Sequence, residues 1–135
     1  MKTLDTAVTI ASDVRKWAEA EAFKKDYHPD DLLGWCAIAA GELWKRLKKQ
    51  GIKADICVSK NDYMGSHCFL LVEDHVLDVT ATQFEQFKHK KVVIMHSKEA
   101  EVHEMYIVEK TFGTSKELRL YQNRQRWPSK QIAYS

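Results

Sequence analysis

Apolar residues return every three or four positions through the first part of the chain. From Asp5 to Lys25, Val8, Ala11, Val14, Trp17, Ala18 and Phe23 recur at helical spacing and predict an amphipathic helix. The loop DYHPDDLLG follows, rich in turn formers and holding Pro29, one of only two prolines. In WCAIAAGELWKRLKKQG a second stripe runs through Ala39, Ala40, Leu43 and Leu47. Lys and Arg fill its last turns and Gly51 marks its stop, which places the start of this helix within a residue or two of Cys36. After Gly51 the repeat shortens to the alternation of strands. Ile52–Ser59, His67–Val72 and Val76–Thr80 read as strands, separated by turns in SKNDYMGS and at Glu73–His75. Lys91–His96 and Glu104–Lys110 read as further strands, and Ser115–Arg126 as a helix that ends before Pro128. Two helices followed by successive strands predict an α+β fold in which N-terminal helices pack on an antiparallel sheet.

Composition narrows the setting. A chain of 135 residues has room for one ordinary core, so a single domain over residues 1–135 is expected. With 44% hydrophobic and 30% charged residues it has the balance of a folded globular protein rather than a disordered one. The net charge of +2 makes no case for nucleic acid, and the basic runs Lys45–Lys49 and Lys88–Lys91 read as solvated faces. The basic, aromatic end of the chain, RLYQNRQRWPSKQIAYS, reads as a solvated ending. The longest apolar stretch, Trp35–Ala40, falls far short of the ~20 residues a membrane-spanning helix needs. The opening segment is broken by Asp5 and Asp13 and does not read as a signal peptide. These features lead us to expect a cytoplasmic protein with neither a membrane nor a nucleic-acid partner. The three cysteines, Cys36, Cys57 and Cys68, are odd in number and lack short-range pairing, which argues against a disulfide scaffold and for a reducing compartment.

Candidate chemistry sits where polar residues interrupt the strand pattern. His67 opens one strand and Asp78 lies inside the next, and burying either is costly without a hydrogen-bond partner. Side chains alternate faces along a strand, so His67, Phe69 and Leu71 share one face while Cys68, Leu70 and Val72 share the other. A connecting loop with an even number of residues places Asp78 on the face of His67, opposite or diagonal to it; an odd loop separates them. On the even parity Asp78 orients His67 and His67 faces the helix that Cys36 opens. The unpaired N–H groups of a helix start favour a thiolate, and a neighbouring imidazolium favours it more. Cys36, His67 and Asp78 then form a nucleophile, a base and an orienter. Cys68 points away on this reading and packs, as does Cys57. No CxxC, HxxxH or HExxH spacing occurs, and no phosphate-binding or dinucleotide fingerprint, so neither a metal nor a cofactor is expected.

The segments GWCAIAAGELWKRL, GSHCFLLVEDH and LDVTATQF, within residues 32–84, resemble the papain-like superfamily in its transglutaminase-like branch. The resemblance implies a cysteine opening a helix on an antiparallel sheet, with histidine and aspartate on adjacent strands. It makes Cys36 the catalytic nucleophile, His67 the general base and acid, and Asp78 the orienter. Papain-type peptidases carry a glutamine six residues before the cysteine; here that residue is Asp30, so the oxyanion donors must lie elsewhere. The Cys36 backbone N–H is one candidate, and the side chain of Trp35 or Gln83 a second. The expected activity is cleavage of an amide or ester carbonyl through a thioester, as a peptidase, amidase or deamidase. A peptide, protein or small amide is the expected substrate. Transfer to an amine, as in a transglutaminase, uses the same intermediate, and a non-catalytic binding module could keep the same fold.

Overall fold

The computed structural model describes residues 2–25, 35–61 and 65–126. Helix α1 spans Lys2–Lys24 and α2 spans Cys36–Lys49. Three strands follow, β1 (Asp55–Asn61), β2 (Gly65–Val72) and β3 (His75–Asp78). Two single 3-10 turns, Ala81–Gln83 and Glu85–Phe87, lead to β4 (Val93–His96). A short helix α3 (Ala100–Met105), strand β5 (Val108–Phe112) and helix α4 (Ser115–Arg126) complete the order. The strands form one five-stranded sheet in the order β4-β3-β2-β1-β5, with antiparallel neighbours throughout. The expected α+β architecture of N-terminal helices on an antiparallel sheet is therefore present.

The sheet separates two apolar layers, and strand alternation assigns residues to each. Ile56, Val58, Cys68, Leu70, Val72 and Leu77 face the helices. Against them lies the α2 stripe of Ala39, Ala40, Leu43 and Leu47, all nearly inaccessible to solvent. The buried stripe of α1 consists of Ala7, Ala11, Val14, Ala18 and Ala22, small residues that let the two helices approach closely. Phe23, expected in that stripe, is 73% exposed; it lies one position off the Ala18–Ala22 row and turns outward. On the other face Cys57, Phe69 and Val76 pack with Phe87, Val102 and Tyr106.

Two elements depart from the sequence reading. Residues 104–110 were expected as a strand, yet Glu104 and Met105 end α3 and the strand begins at Val108. Val102, Met105 and Tyr106 are buried at helical spacing against the sheet, and this burial overrides the short alternation. Strand β3 stops at Asp78 rather than Thr80, because the Asp78 carboxylate accepts the Thr80 backbone N–H at 2.9 Å and bends the chain. The loop DYHPDDLLG, the middle of the turn SKNDYMGS and the chain beyond Arg126 lie outside the described residues.

One buried cation ties α1 to the segment after β3. Arg15 is 1% exposed on the inner face of α1. It donates to Glu19 Oε2 at 2.7 Å, to the Val79 carbonyl at 2.9 Å and to Thr82 Oγ1 at 2.8 Å. Glu19 is shared with Lys91 at 3.0 Å. Replacing Arg15 by Met leaves two buried acceptors unpaired, each costing roughly 1–3 kcal/mol. Urea unfolding of Arg15→Met is expected to show a loss of about 3 kcal/mol, whereas Lys91→Ala, at the exposed rim of the same network, changes stability by under ~1 kcal/mol.

Candidate active site

The connection between β2 and β3 decides where His67 and Asp78 lie. It is the two-residue turn Glu73–Asp74, with both residues at positive φ (48° and 61°), the geometry of a type I′ hairpin. Leu70 pairs with Leu77, Leu71 with Val76 and Val72 with His75. This is the even parity, and His67 and Asp78 fall on one face, diagonal across the pair. Asp reaches the left-handed region at modest cost, but Glu73 does so without that help.

His67 Nε2 lies 2.7 Å from Asp78 Oδ2, and both side chains are 1% exposed. Asp78 Oδ2 also accepts the Tyr106 hydroxyl at 2.8 Å. Asp78 Oδ1 accepts the Thr80 N–H at 2.9 Å and the Thr80 hydroxyl at 3.4 Å. Burial alone pushes the Asp78 carboxyl up, yet the imidazolium and these hydrogen bonds outweigh it and hold the carboxyl below its ordinary value. Burial likewise opposes the charged form of His67, and the Asp78 charge overrides it, with the ring pushed up to about 10. Because Nε2 is engaged by Asp78, Nδ1 is the ring nitrogen left to face other partners. Gln83 Nε2 sits 3.5 Å from Nδ1 while donating to the Thr80 carbonyl at 2.9 Å. The half-buried Phe84 stands edge-on to the imidazole, with ring centroids 4.9 Å apart.

Cys36 is the first residue of α2, whose first turn contains no acid and whose N-cap, Trp35, offers no side-chain cap. The Trp35 ring is buried in the core, with Lys25 Nζ 5.4 Å from its centroid. The Cys36 thiol is held well below its ordinary range. A hydrogen bond from Cys68 is the largest cause; burial opposes the shift, and hydrogen bonding and charge from His67 add to it. Cys68 in turn is pushed well up, chiefly because it serves as the donor to Cys36. This corrects two linked expectations: Cys68 does not merely pack, pointing away from the nucleophile, and it is the Cys68 face of β2, not the His67 face, that meets α2. Helix α2 lies on the Cys68 face of β2, so the helix tip rests on that thiol while the imidazole also reaches the sulfur. The crevice behind Cys36, lined by Ala40, Leu43, Leu70 and Leu77 together with Cys68, Asp78 and Thr80, is too tight to admit water. Dry surroundings strengthen every charge interaction at the sulfur. Cys57 lies on the opposite face, where burial pushes its thiol up to about 11.

The structure thus pairs His67 with Asp78, sets Cys36 near them and brings Gln83 beside the imidazole. Trp35 adjoins Cys36 in sequence and shares its core cluster. Tyr27, His28, Asp30 and Asp31, candidates for the cleft wall or a helix cap, lie outside the described residues. Arg15 and Tyr106 were not anticipated. Arg15 carried a signal, since it occupies a core position between Ala11 and Ala18; Tyr106 carried none. Among the described residues no group of three His, Cys, Asp or Glu side chains is arranged to hold a metal ion, and no helix is long and apolar enough to cross a membrane. Comparison with protein-family models, with curated proteins and with solved structures yields no match. What is in hand is a helix-tip cysteine beside a buried histidine–aspartate pair, an arrangement compatible with thiol-hydrolase chemistry.

Two measurements follow from these charges. At pH 6 an ordinary thiol is under ~1% ionised. Iodoacetamide should therefore label Cys36 more than ~10-fold faster than Cys57 and Cys68, with Cys68→Ala slowing Cys36 by about tenfold; peptide mapping by mass spectrometry reads both. His67 is raised above its ordinary 6.5, so its stabilising contribution is complete below pH 6.5 and lost as pH rises through about 10. Asp78 is lowered below its ordinary 3.8, so its contribution is present above that pH and lost as pH falls through the folded-state value. Urea titration of Asp78→Asn should show a deficit of about 3 kcal/mol at pH 6 that shrinks toward pH 10.

Proposed function

We propose that this chain is a thiol hydrolase or acyltransferase of the papain-like, transglutaminase-like type, acting as one catalytic domain over residues 1–135. The observation that carries the proposal is the 2.7 Å His67–Asp78 pair, buried and fully hydrogen-bonded, beside a helix-tip cysteine whose thiol is driven toward the anion. A packed core gains little from a desolvated ion pair beside a thiol, because such pairs roughly break even against apolar side chains. A nucleophile needs them.

In the proposed reaction the Cys36 thiolate attacks an amide or ester carbonyl. A carbon–sulfur bond forms and the carbonyl electrons move onto oxygen. The Cys36 backbone N–H and a side-chain donor, Gln83 or Trp35, receive that oxyanion. Gln83 is favoured by its place beside His67, with one N–H already fixed on the Thr80 carbonyl. As the intermediate collapses, His67 gives its proton to the departing amine or alcohol and a thioester remains. His67, now neutral, takes a proton from the acceptor, whose oxygen or nitrogen bonds to the acyl carbon as the carbon–sulfur bond breaks, and the thiolate–imidazolium pair is restored. Water as acceptor makes the protein a peptidase, amidase or deamidase, the reading we favour; an amine makes it a transglutaminase. Asp78 keeps the ring oriented through both proton transfers. The cycle requires a reduced thiol, which fits a cytoplasmic setting.

Intact-mass spectrometry after exposure to peptide, glutamine and cell-wall fragment libraries tests this. Wild type should gain an acyl mass that hydroxylamine removes, and Cys36→Ala should gain none. Once a substrate is in hand, Cys36→Ala and His67→Ala should each lower kcat by roughly 10³-fold or more, and Asp78→Asn by less. Equal, slow labelling of all three cysteines, with ligand retained equally by wild type and Cys36→Ala, would mark a binding module instead.

A further inference from the structure

Asp78 offers a single oxygen to two donors. Oδ2 lies 2.7 Å from His67 Nε2 and 2.8 Å from the Tyr106 hydroxyl. Tyr106 follows α3 directly and is 3% exposed. Packing fixes its ring independently of the carboxylate: it stands T-shaped to Phe69 with centroids 4.8 Å apart and tilted against Phe87 at 6.3 Å. Burial, and then the neighbouring anion, push the phenol far up, so it stays protonated and can act only as donor to Asp78.

Satisfying a buried anion is the simplest role for this hydroxyl, but Asp78 is already well supplied without it. Thr80 holds Oδ1 through its N–H and its hydroxyl, and His67 holds Oδ2. Tyr106 adds a donor to the very oxygen on which the imidazolium depends. A donor there draws charge from that oxygen and weakens its pull on the ring proton. The matter is functional, because a general acid works best when its proton is neither too loosely nor too tightly held at the working pH.

We propose that Tyr106 is a positioning residue of the Cys36–His67–Asp78 site, its phenol tempering the grip of Asp78 on the His67 imidazolium so that the ring can release its proton to a leaving group. This rests on the reading of Cys36 as nucleophile.

The pH dependence of Cys36 alkylation by iodoacetamide tests the role in the full chain and needs no substrate. Two steps are expected in wild type, a lower one where the thiolate–imidazolium pair forms and an upper one where His67 loses its proton. Tyr106→Phe frees Asp78 to hold the imidazolium harder, so the upper step moves up by about half a unit to one unit, part of the roughly one to two units that a hydrogen bond to a charged group is worth, while the lower step, at which the ring is protonated before and after, stays in place. Site-specific 3-fluorotyrosine at position 106 keeps the shape of the ring and donates more strongly. It should move the upper step down, and it carries the test if the Phe variant folds poorly. An upper step that stays put in both variants, or that shifts in the same direction in both, overturns the role of Tyr106 while leaving the nucleophile reading intact. A wild-type profile with one ordinary thiol step near pH ~8.5 overturns the parent reading and this one with it.

Discussion

The Asp78 carboxylate is fully withdrawn from water, and much of the surrounding structure answers that fact. A bare anion in such a place is prohibitively costly and would take up a proton instead. Here a backbone N–H, two hydroxyls and an imidazole surround it, drawn from β2, from the turn after β3 and from the residue following α3. These donors come from three separated parts of the chain, so the ionised carboxylate exists only when all three have assembled. The Val79–Thr82 segment that shapes the turn is itself clamped by Arg15 from α1. Helix α1 thus reaches the site without contributing a reacting group. Among the described residues every buried side-chain nitrogen and oxygen has a hydrogen-bond partner, which is what allows so much polarity inside a small sheet protein.

The sulfur is the other half of the electrostatic arrangement. Cys36 sits at a helix start with no acidic residue in its first turn, against a dry wall, with a thiol and an imidazole as neighbours. Each influence is modest alone, since a helix terminus contributes about one pKa unit at most. Combined in a water-poor crevice they favour a thiolate facing an imidazolium. Cys57 shows the contrast. It has the same side chain, but it lies in β1 on the far face of the sheet with Thr111 as its hydrogen-bond partner, and its proton is held more tightly than in water. The opposite displacement of these two thiols is set by their partners, because both are buried.

Much of the fold was legible in the chain. The α2 stripe of Ala39, Ala40, Leu43 and Leu47, the helix start at Cys36 and the helix Ser115–Arg126 all lie where periodicity and stop signals put them, because those signals are local. Alternation also sorted the residues of β2 correctly onto two faces. The register of β2 on β3 was not legible. It hangs on the length of the Glu73–Asp74 turn, and those residues lack the Asn-Gly or Asp-Gly signature that marks a type I′ hairpin. Residues 104–110 misled because a short apolar alternation can be helix or strand, and only the burial of Val102, Met105 and Tyr106 decides it.

By itself the sequence determined the helix–helix–strand order, the residues on each face of β2 and the identities of Cys36, His67 and Asp78 as groups worth bringing together. It did so because helical and strand periods, turn residues and the cost of burying charge are properties of a few neighbouring positions. The tertiary structure alone decided that Cys68 touches Cys36, that Tyr106 shares an oxygen with His67 and that Arg15 grips the segment after Asp78. Each of these contacts joins residues from 28 to 67 positions apart in sequence, the Cys36–Cys68 thiol pair included. No local pattern encodes such meetings. They are fixed when the helices settle on one particular face of the sheet, and that choice belongs to the whole core at once.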